Sequence, residues 1–136
     1  KKISFTLLLL NAFPLIFFSC NNKQPFKPPY NGAVGTIIAK ENCNRDEGKD
    51  YWLIEIFSSS SVRQQFGNKL TINGINYTNV IKTTGLTESL KKVGQKVSFD
   101  FTITDTAVST PNCSITNPLV YNLKIAEFLH VSPAVF

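Results

Sequence analysis

The side chains that carry most enzyme chemistry are sparse in this chain. His130 is the sole histidine and lies near the C-terminal end, so the sequence assembles no Ser-His-acid or Cys-His arrangement, and His130 reads as an ordinary surface or packed residue. Asp46, Glu47 and Asp50 cluster as paired carboxylates do in glycoside hydrolases. Arg45 and Lys49 stand among them, which makes a solvated loop of mixed charge the better reading, and the spacing is not that of a calcium loop. There is no glycine-rich phosphate loop, Cys-x-x-Cys pair or His-Glu-x-x-His helix. Neither Cys43 nor Cys113 has a second cysteine or histidine at metal-ligand spacing. The expectation is a protein that is not an enzyme and uses no cofactor or metal. Recognition chemistry is better represented, because Tyr51, Trp52, Phe57 and Tyr77 can offer flat rings to a ligand. Trp52 is such a platform if its side chain faces outward; otherwise it packs in a core with Ile54 and Ile56.

The elements that must position these residues are strands. Residues from Gly32 to Lys40 place Val34, Ile37 and Ile38 around Gly35, a strand in which the glycine permits a bend or bulge. Tyr51 to Phe57 is apolar on both faces, as in the middle of a sheet. Leu70 to Ile72 and Ile75 to Tyr77 flank Asn73-Gly74, a strong signal for a tight hairpin turn, and Val80 to Thr83 continues as strand. Thr87 to Gly94 has a capping threonine, an acid in its first turn, lysines in its last and a glycine stop, which predicts a short helix. Val97 to Thr104 alternates without a fault, directing Val97, Phe99, Phe101 and Ile103 to a core. After a long loop carrying Cys113, Leu119 to Val131 returns to strand, ended by Ser132-Pro133.

The front of the chain sets the compartment. Lys1 and Lys2 precede an apolar run broken by Asn11 and Pro14, the pattern of an export signal and short of a membrane-spanning helix, with an uncleaved anchor as the alternative. Leu15-Ile16-Phe17-Phe18-Ser19-Cys20 resembles the lipobox of bacterial lipoproteins, with Phe17 and Phe18 departing from the usual Leu-Ala. That resemblance implies removal of residues 1–19, acylation (palmitate among the chains) of Cys20, and a lipid anchor in a membrane. Residues 20–31, with three prolines, then form an extended tether, and residues 32–136 form one domain. With Cys20 assigned to lipid, Cys43 and Cys113 remain as a disulfide pair in an oxidising compartment, free buried thiols being the alternative. A loop of about 70 residues would contribute roughly 4 kcal/mol in the chain-entropy account. The formal net charge of +5 falls to +3 once Lys1 and Lys2 are removed, a mild, scattered basicity that suits acidic glycans or lipid headgroups better than nucleic acid.

The order of elements is that of an all-β, OB-like five-stranded Greek-key barrel with one short helix between strands three and four. Cys43 then falls between strands one and two and Cys113 between strands four and five, loops that are neighbours in that topology. Lipocalin-like and immunoglobulin-like sandwiches need more strands. Gly35-Thr36-Ile37-Ile38, Cys43, Tyr51-Trp52-Leu53-Ile54, Tyr77, Leu86, Leu90-Lys91, Gly94-Gln95-Lys96-Val97-Ser98-Phe99 and Cys113 together resemble small OB-like lipoproteins of the Bacteroidetes kind. This resemblance implies a cell-envelope, outer-membrane lipoprotein and supplies no activity. Asn21-Asn22-Lys23-Gln24 has none of the acidic residues associated with surface display in such proteins, which implies a periplasm-facing position. The functional expectation is a binding module for a glycan, peptide or envelope protein, at the face bounded by the two cysteine loops and using Tyr51, Trp52 and Tyr77. The alternative is an inhibitor or structural partner of an envelope complex that works through the Glu41 to Asp50 loop.

Overall fold

The computed structural model describes residues 30–57, 65–105 and 112–135. The expected export signal, Cys20 and the expected tether up to Pro29 fall outside the described residues. Six strands follow in order: β1 (Tyr30–Lys40), β2 (Trp52–Phe57), β3 (Asn68–Ile72), β4 (Ile75–Thr83), β5 (Lys96–Asp105) and β6 (Ile125–Pro133). β1 pairs antiparallel with both β2 and β5, β2 with β4, and β5 with β6. A single parallel register point, Lys82 opposite Ile125, joins β4 to β6 and closes the ring β1-β2-β4-β6-β5. Among the described strands β3 pairs with β4 alone and stays outside that ring. The protein is therefore a small, closed all-β barrel with an appended hairpin strand.

Side-chain alternation fills the ring. Ile37, Trp52, Ile54, Ile56, Ile81, Val97, Phe99, Phe101 and Ala126 form the interior, joined by Leu86 and Leu90 from the β4–β5 connection. Phe99 stacks on Phe128 with ring centroids 4.2 Å apart. Val97, Phe99 and Phe101 are buried and Ile103 packs against them, as the alternation predicts. β2 is apolar on both faces for a concrete reason. Its odd-numbered Leu53 lies outside the barrel in a second cluster with Val80 and Leu123, against which Leu70, Ile72, Tyr77 and Tyr121 pack.

Several boundaries differ from those expected. β1 begins at Tyr30, not near Gly32, because the Tyr30 ring packs against Phe66 and Phe101. Gly32 adopts φ +68° where the β1–β5 register shifts, a bulge that only glycine accepts without strain. The helix expected over Thr87 to Gly94 is one 3-10 turn, Glu88–Leu90. The Thr87 hydroxyl makes no capping bond and lies 3.3 Å from Ser89 Oγ instead, so the signal marks a turn too short to propagate. The last strand starts at Ile125 and runs through Ser132-Pro133; Leu119 makes only an isolated bridge with Asn42. Residues 119–124 are diverted to the outside of the barrel, where other partners hold their backbone.

Two glycines are required by the backbone, one by a close strand contact and one by a turn. A Cβ on Gly35 would stand 2.5 Å from Ile54 Cγ2 and 2.7 Å from Glu55 O, so this residue is required by the contact between β1 and β2. At the hairpin, Asn73 and Gly74 have φ +50° and +79°, the two positive values that a type I′ turn needs. Gly35→Ala should lower stability by about 1–3 kcal/mol through overpacking. A urea midpoint equal to wild type would show instead that β1 and β2 separate without cost.

Candidate functional site

The β1–β2 loop and the chain before β6 meet at one end of the barrel, but as a packed joint and not as an open cleft. Cys43 and Cys113 form a disulfide with Cα atoms 4.7 Å apart. Around it Asn42 and Leu119 exchange both backbone hydrogen bonds, Ser114 N donates to Cys43 O, and Arg45 N donates to Ser114 Oγ. Asp50 is no solvated loop acid. Its carboxylate is buried, and Oδ1 accepts from Cys43 N, Asn44 N and Asn44 Nδ2. Asp46 and Glu47 are exposed, and Asp46 caps a single 3-10 turn at Glu47–Lys49.

Beneath this joint lies a buried ion pair. Lys82, from β4, donates through Nζ to Glu41 Oε1 at 2.9 Å and to Tyr121 O at 2.8 Å. Glu41 Oε1 also accepts from Tyr121 N, and the side chains of Lys82 and Glu41 are 3% and 2% exposed. The Tyr51 ring covers the ammonium with its centroid 4.9 Å from Nζ. Tyr51, predicted as a ligand contact, is thus half-buried against an internal cation. Trp52 is 9% exposed and belongs to the barrel core with Ile54 and Ile56, so its ring is not a platform. Lys40 Nζ lies 5.8 Å from that ring and 2.7 Å from Glu47 Oε2. Trp52 Nε1 and Asp50 Oδ2 are buried without a hydrogen-bond partner among the described residues, although Lys40 Nζ approaches Asp50 Oδ2 to 4.0 Å.

Tyr77 is elsewhere, on the hairpin. Its ring packs half-buried on the second apolar cluster, and the residue also lines a groove of about 370 Å³ with Lys69, Leu70, Thr71, Asn76 and Thr78. The three aromatics therefore form no common surface. Burial alternates along the ribbon: Lys69, Thr71, Asn76 and Thr78 are exposed, whereas Leu70, Ile72 and Tyr77 are partly buried. Thr71 Oγ1 lies 2.7 Å from Asn76 Oδ1, and Lys69 Nζ and Asn76 Nδ2 make no hydrogen bond among the described residues. At the base of the ribbon Asn79 Oδ1 accepts from Phe66 N and Gly67 N, and Glu55 Oε1 accepts from Thr78 N.

A second depression, about 180 Å³, lies on the outside of β5 and β6 and is lined by Ser98, Phe99, Asp100, His130, Val131 and Ser132. Here the fold supplies what sequence order hid, because register places Asp100 opposite His130 and Ser98 opposite Ser132. His130 Nδ1 is 3.2 Å from Asp100 Oδ2, while Asp100 Oδ1 accepts from Gly32 N. The serine hydroxyls make no hydrogen bond to the imidazole, which is 84% exposed. The acid holds the bulge at Gly32 and steadies the histidine. No group of three or more metal-binding side chains occurs, and no helix is long and apolar enough to cross a membrane, both among the described residues.

Comparison of the chain with protein-family models, with curated proteins and with solved structures finds no match.

The buried pair makes a sharp energetic prediction. Lys82→Met leaves Glu41 unpaired and should cost about 3–5 kcal/mol, as should Glu41→Leu, while the double variant should recover most of that loss. Urea unfolding of the three variants checks it; purely additive losses would show that the pair is not coupled.

Proposed function

We propose that the protein is an exported lipoprotein, anchored through Cys20 in the cell envelope and facing the periplasm, whose barrel is a non-catalytic binding module. The strand arrangement supports assigning the barrel to the OB type. The ring β1-β2-β4-β6-β5, its one parallel contact between β4 and β6 and the short turn before β5 are consistent with a five-stranded barrel of that type, β3 then being an addition to it. The disulfide favours an oxidising compartment. The Bacteroidetes-type resemblance fits the same placement, and export separates the chain from nucleic acid.

The observation that carries the binding reading is the hairpin ribbon. It stands outside the closed ring, its groove is lined by side chains with unused donors, and its base is clasped to the barrel by Asn79 and Glu55. The groove takes the place of the cleft expected between the cysteine loops, and Tyr77 is the one predicted contact that lines it. The partner is a peptide, protein or glycan segment. The alternative of an inhibitor acting through the Glu41 to Asp50 loop has less support, since Asp50 and the disulfide turn that loop inward.

Two measurements test the two halves of this reading. Intact mass of membrane-extracted protein should lack residues 1–19, include added acyl mass, and rise by about two hydrogens on reduction. An unprocessed mass would remove the envelope placement. For the module, hydrogen exchange of the processed protein with and without envelope peptide and glycan fractions should show protection confined to residues 68–78. Protection only at the Cys43–Cys113 joint would move the site back to the loops.

A further inference from the structure

β3 has a neighbour on one side only. The ring closes through β2 and β4, and among the described residues β3 pairs with β4 from Asn68 to Ile72 and with no other strand. In an antiparallel hairpin closed by a two-residue turn, the pair flanking the turn exchanges both hydrogen bonds, and the next pair turns its N–H and C=O outward. Ile72 and Ile75 flank the Asn73-Gly74 turn, so Leu70 and Tyr77 also face each other through hydrogen bonds. The backbone N–H and C=O of Thr71 point to the open side. Such an edge is a template for another strand unless it is blocked.

The side chains around this edge say which strand. Lys69 has no ion-pair partner among the described residues, and the hydrogen-bond partner of Lys124 Nζ is a backbone carbonyl, that of Phe66, at 3.1 Å. Lys124 N is fixed beside the start of β3 by Asn68 Oδ1. Asn76 is exposed, and its Nδ2 makes no hydrogen bond among the described residues, while its Oδ1 accepts from the Thr71 hydroxyl. Glu55, at the base of the ribbon, has its Oε1 occupied by Thr78 N. The exposed groove is therefore donor-rich and carries a free cation. A second copy of this chain is a poor occupant, since it would bring Lys69 and, once Lys1 and Lys2 are removed from the formal +5, a net charge of +3 against themselves.

We propose that the open edge of β3 takes up an extended acidic peptide segment of a partner as an added β-strand, with main-chain hydrogen bonds at Thr71 and partner carboxylates over Lys69. This rests on the binding-module reading and names its partner class. Strand addition draws affinity from main-chain bonds and specificity from side chains at alternate positions. The two contributions can be separated by substitution. Thr71→Pro deletes the outward N–H without removing a bond to β4, a change that edge strands tolerate, whereas Lys69→Glu keeps every main-chain donor and reverses the side-chain charge.

The test is fluorescence anisotropy of a labelled peptide of alternating valine and glutamate, added to the full-length processed protein in detergent. Valine-lysine peptide and oligogalacturonate serve as comparison probes. The expected result is binding of the glutamate peptide alone, weakened about tenfold by Thr71→Pro and weakened about tenfold by the exposed-site change Lys69→Glu. Far-UV circular dichroism confirms the fold of each variant, and Lys69→Glu decides the outcome if Thr71→Pro unfolds. Equal affinity in Thr71→Pro and wild type, or in Lys69→Glu and wild type, overturns strand addition. Binding of oligogalacturonate that survives Thr71→Pro overturns it too, but retains a binding module of glycan type. Absence of binding by all three probes overturns the proposal, and the exchange experiment on envelope fractions then decides the broader reading separately.

Discussion

The barrel is organised by one buried charge, the Lys82 ammonium. An ion of that size loses several kcal/mol of hydration on burial even after relaxation, and the loss is offset only where its donors are matched. Here the match requires three stretches of chain at once: Glu41 from the end of β1, Lys82 from β4, and Tyr121 from the segment before β6. None of these stretches can move alone without stranding a charge or a backbone group. The Cys43–Cys113 bond lies on top of this arrangement and ties the same two loops covalently. The disulfide limits the unfolded chain, whereas the ion pair selects which folded arrangement the loops adopt.

That selection has a consequence for function. By fastening residues 119–124 to the outside of β2 and β4, the charge knot covers a sheet face that would otherwise be open. Leu53, Val80 and Leu123 form a second apolar cluster there, with Tyr77 and Tyr121 at its margin. A barrel with both faces of β2 buried has little surface left between its loops. The chain extends beyond the ring instead, by continuing β4 into a hairpin whose tip residue Ile75 is 56% exposed.

Much of this was legible from residue patterns, and the misses share a cause. The faultless alternation of β5, the Asn73-Gly74 turn and the two-sided β2 each encode local geometry directly, and each stands as read. The placement of the two cysteines in neighbouring loops followed from strand order, and the disulfide joins them. What failed depended on partners far away in sequence. Tyr121 and Leu123 have strand-like alternation, yet Glu41 and Lys82 hold them outside the sheet. Asp50 resembles its solvated neighbours in composition and differs only because Cys43 and Asn44 turn their N–H groups toward it. Trp52 was ambiguous because a strand apolar on both faces does not reveal which face is inside. The Asp100–His130 contact spans thirty positions and emerges only from the β5–β6 register.

The ribbon poses a physical difficulty that its base resolves. A two-stranded hairpin alone is marginally stable in water, and a floppy edge would lose much of its binding energy to ordering. Asn79 counters this from inside the ribbon's root, with Oδ1 accepting from Phe66 N and Gly67 N and Nδ2 donating to Ile56 O. Gly67 allows the approach, since a Cβ there would lie 2.3 Å from Val80 O. Leu70, Ile72 and Tyr77 anchor the inward face on the second cluster. The strand edge is thus presented by a ribbon already ordered on its other side, so an added strand would have mainly its own entropy to lose. The same apolar cluster that closes the barrel's outer face fixes the edge in the position that an added strand would need.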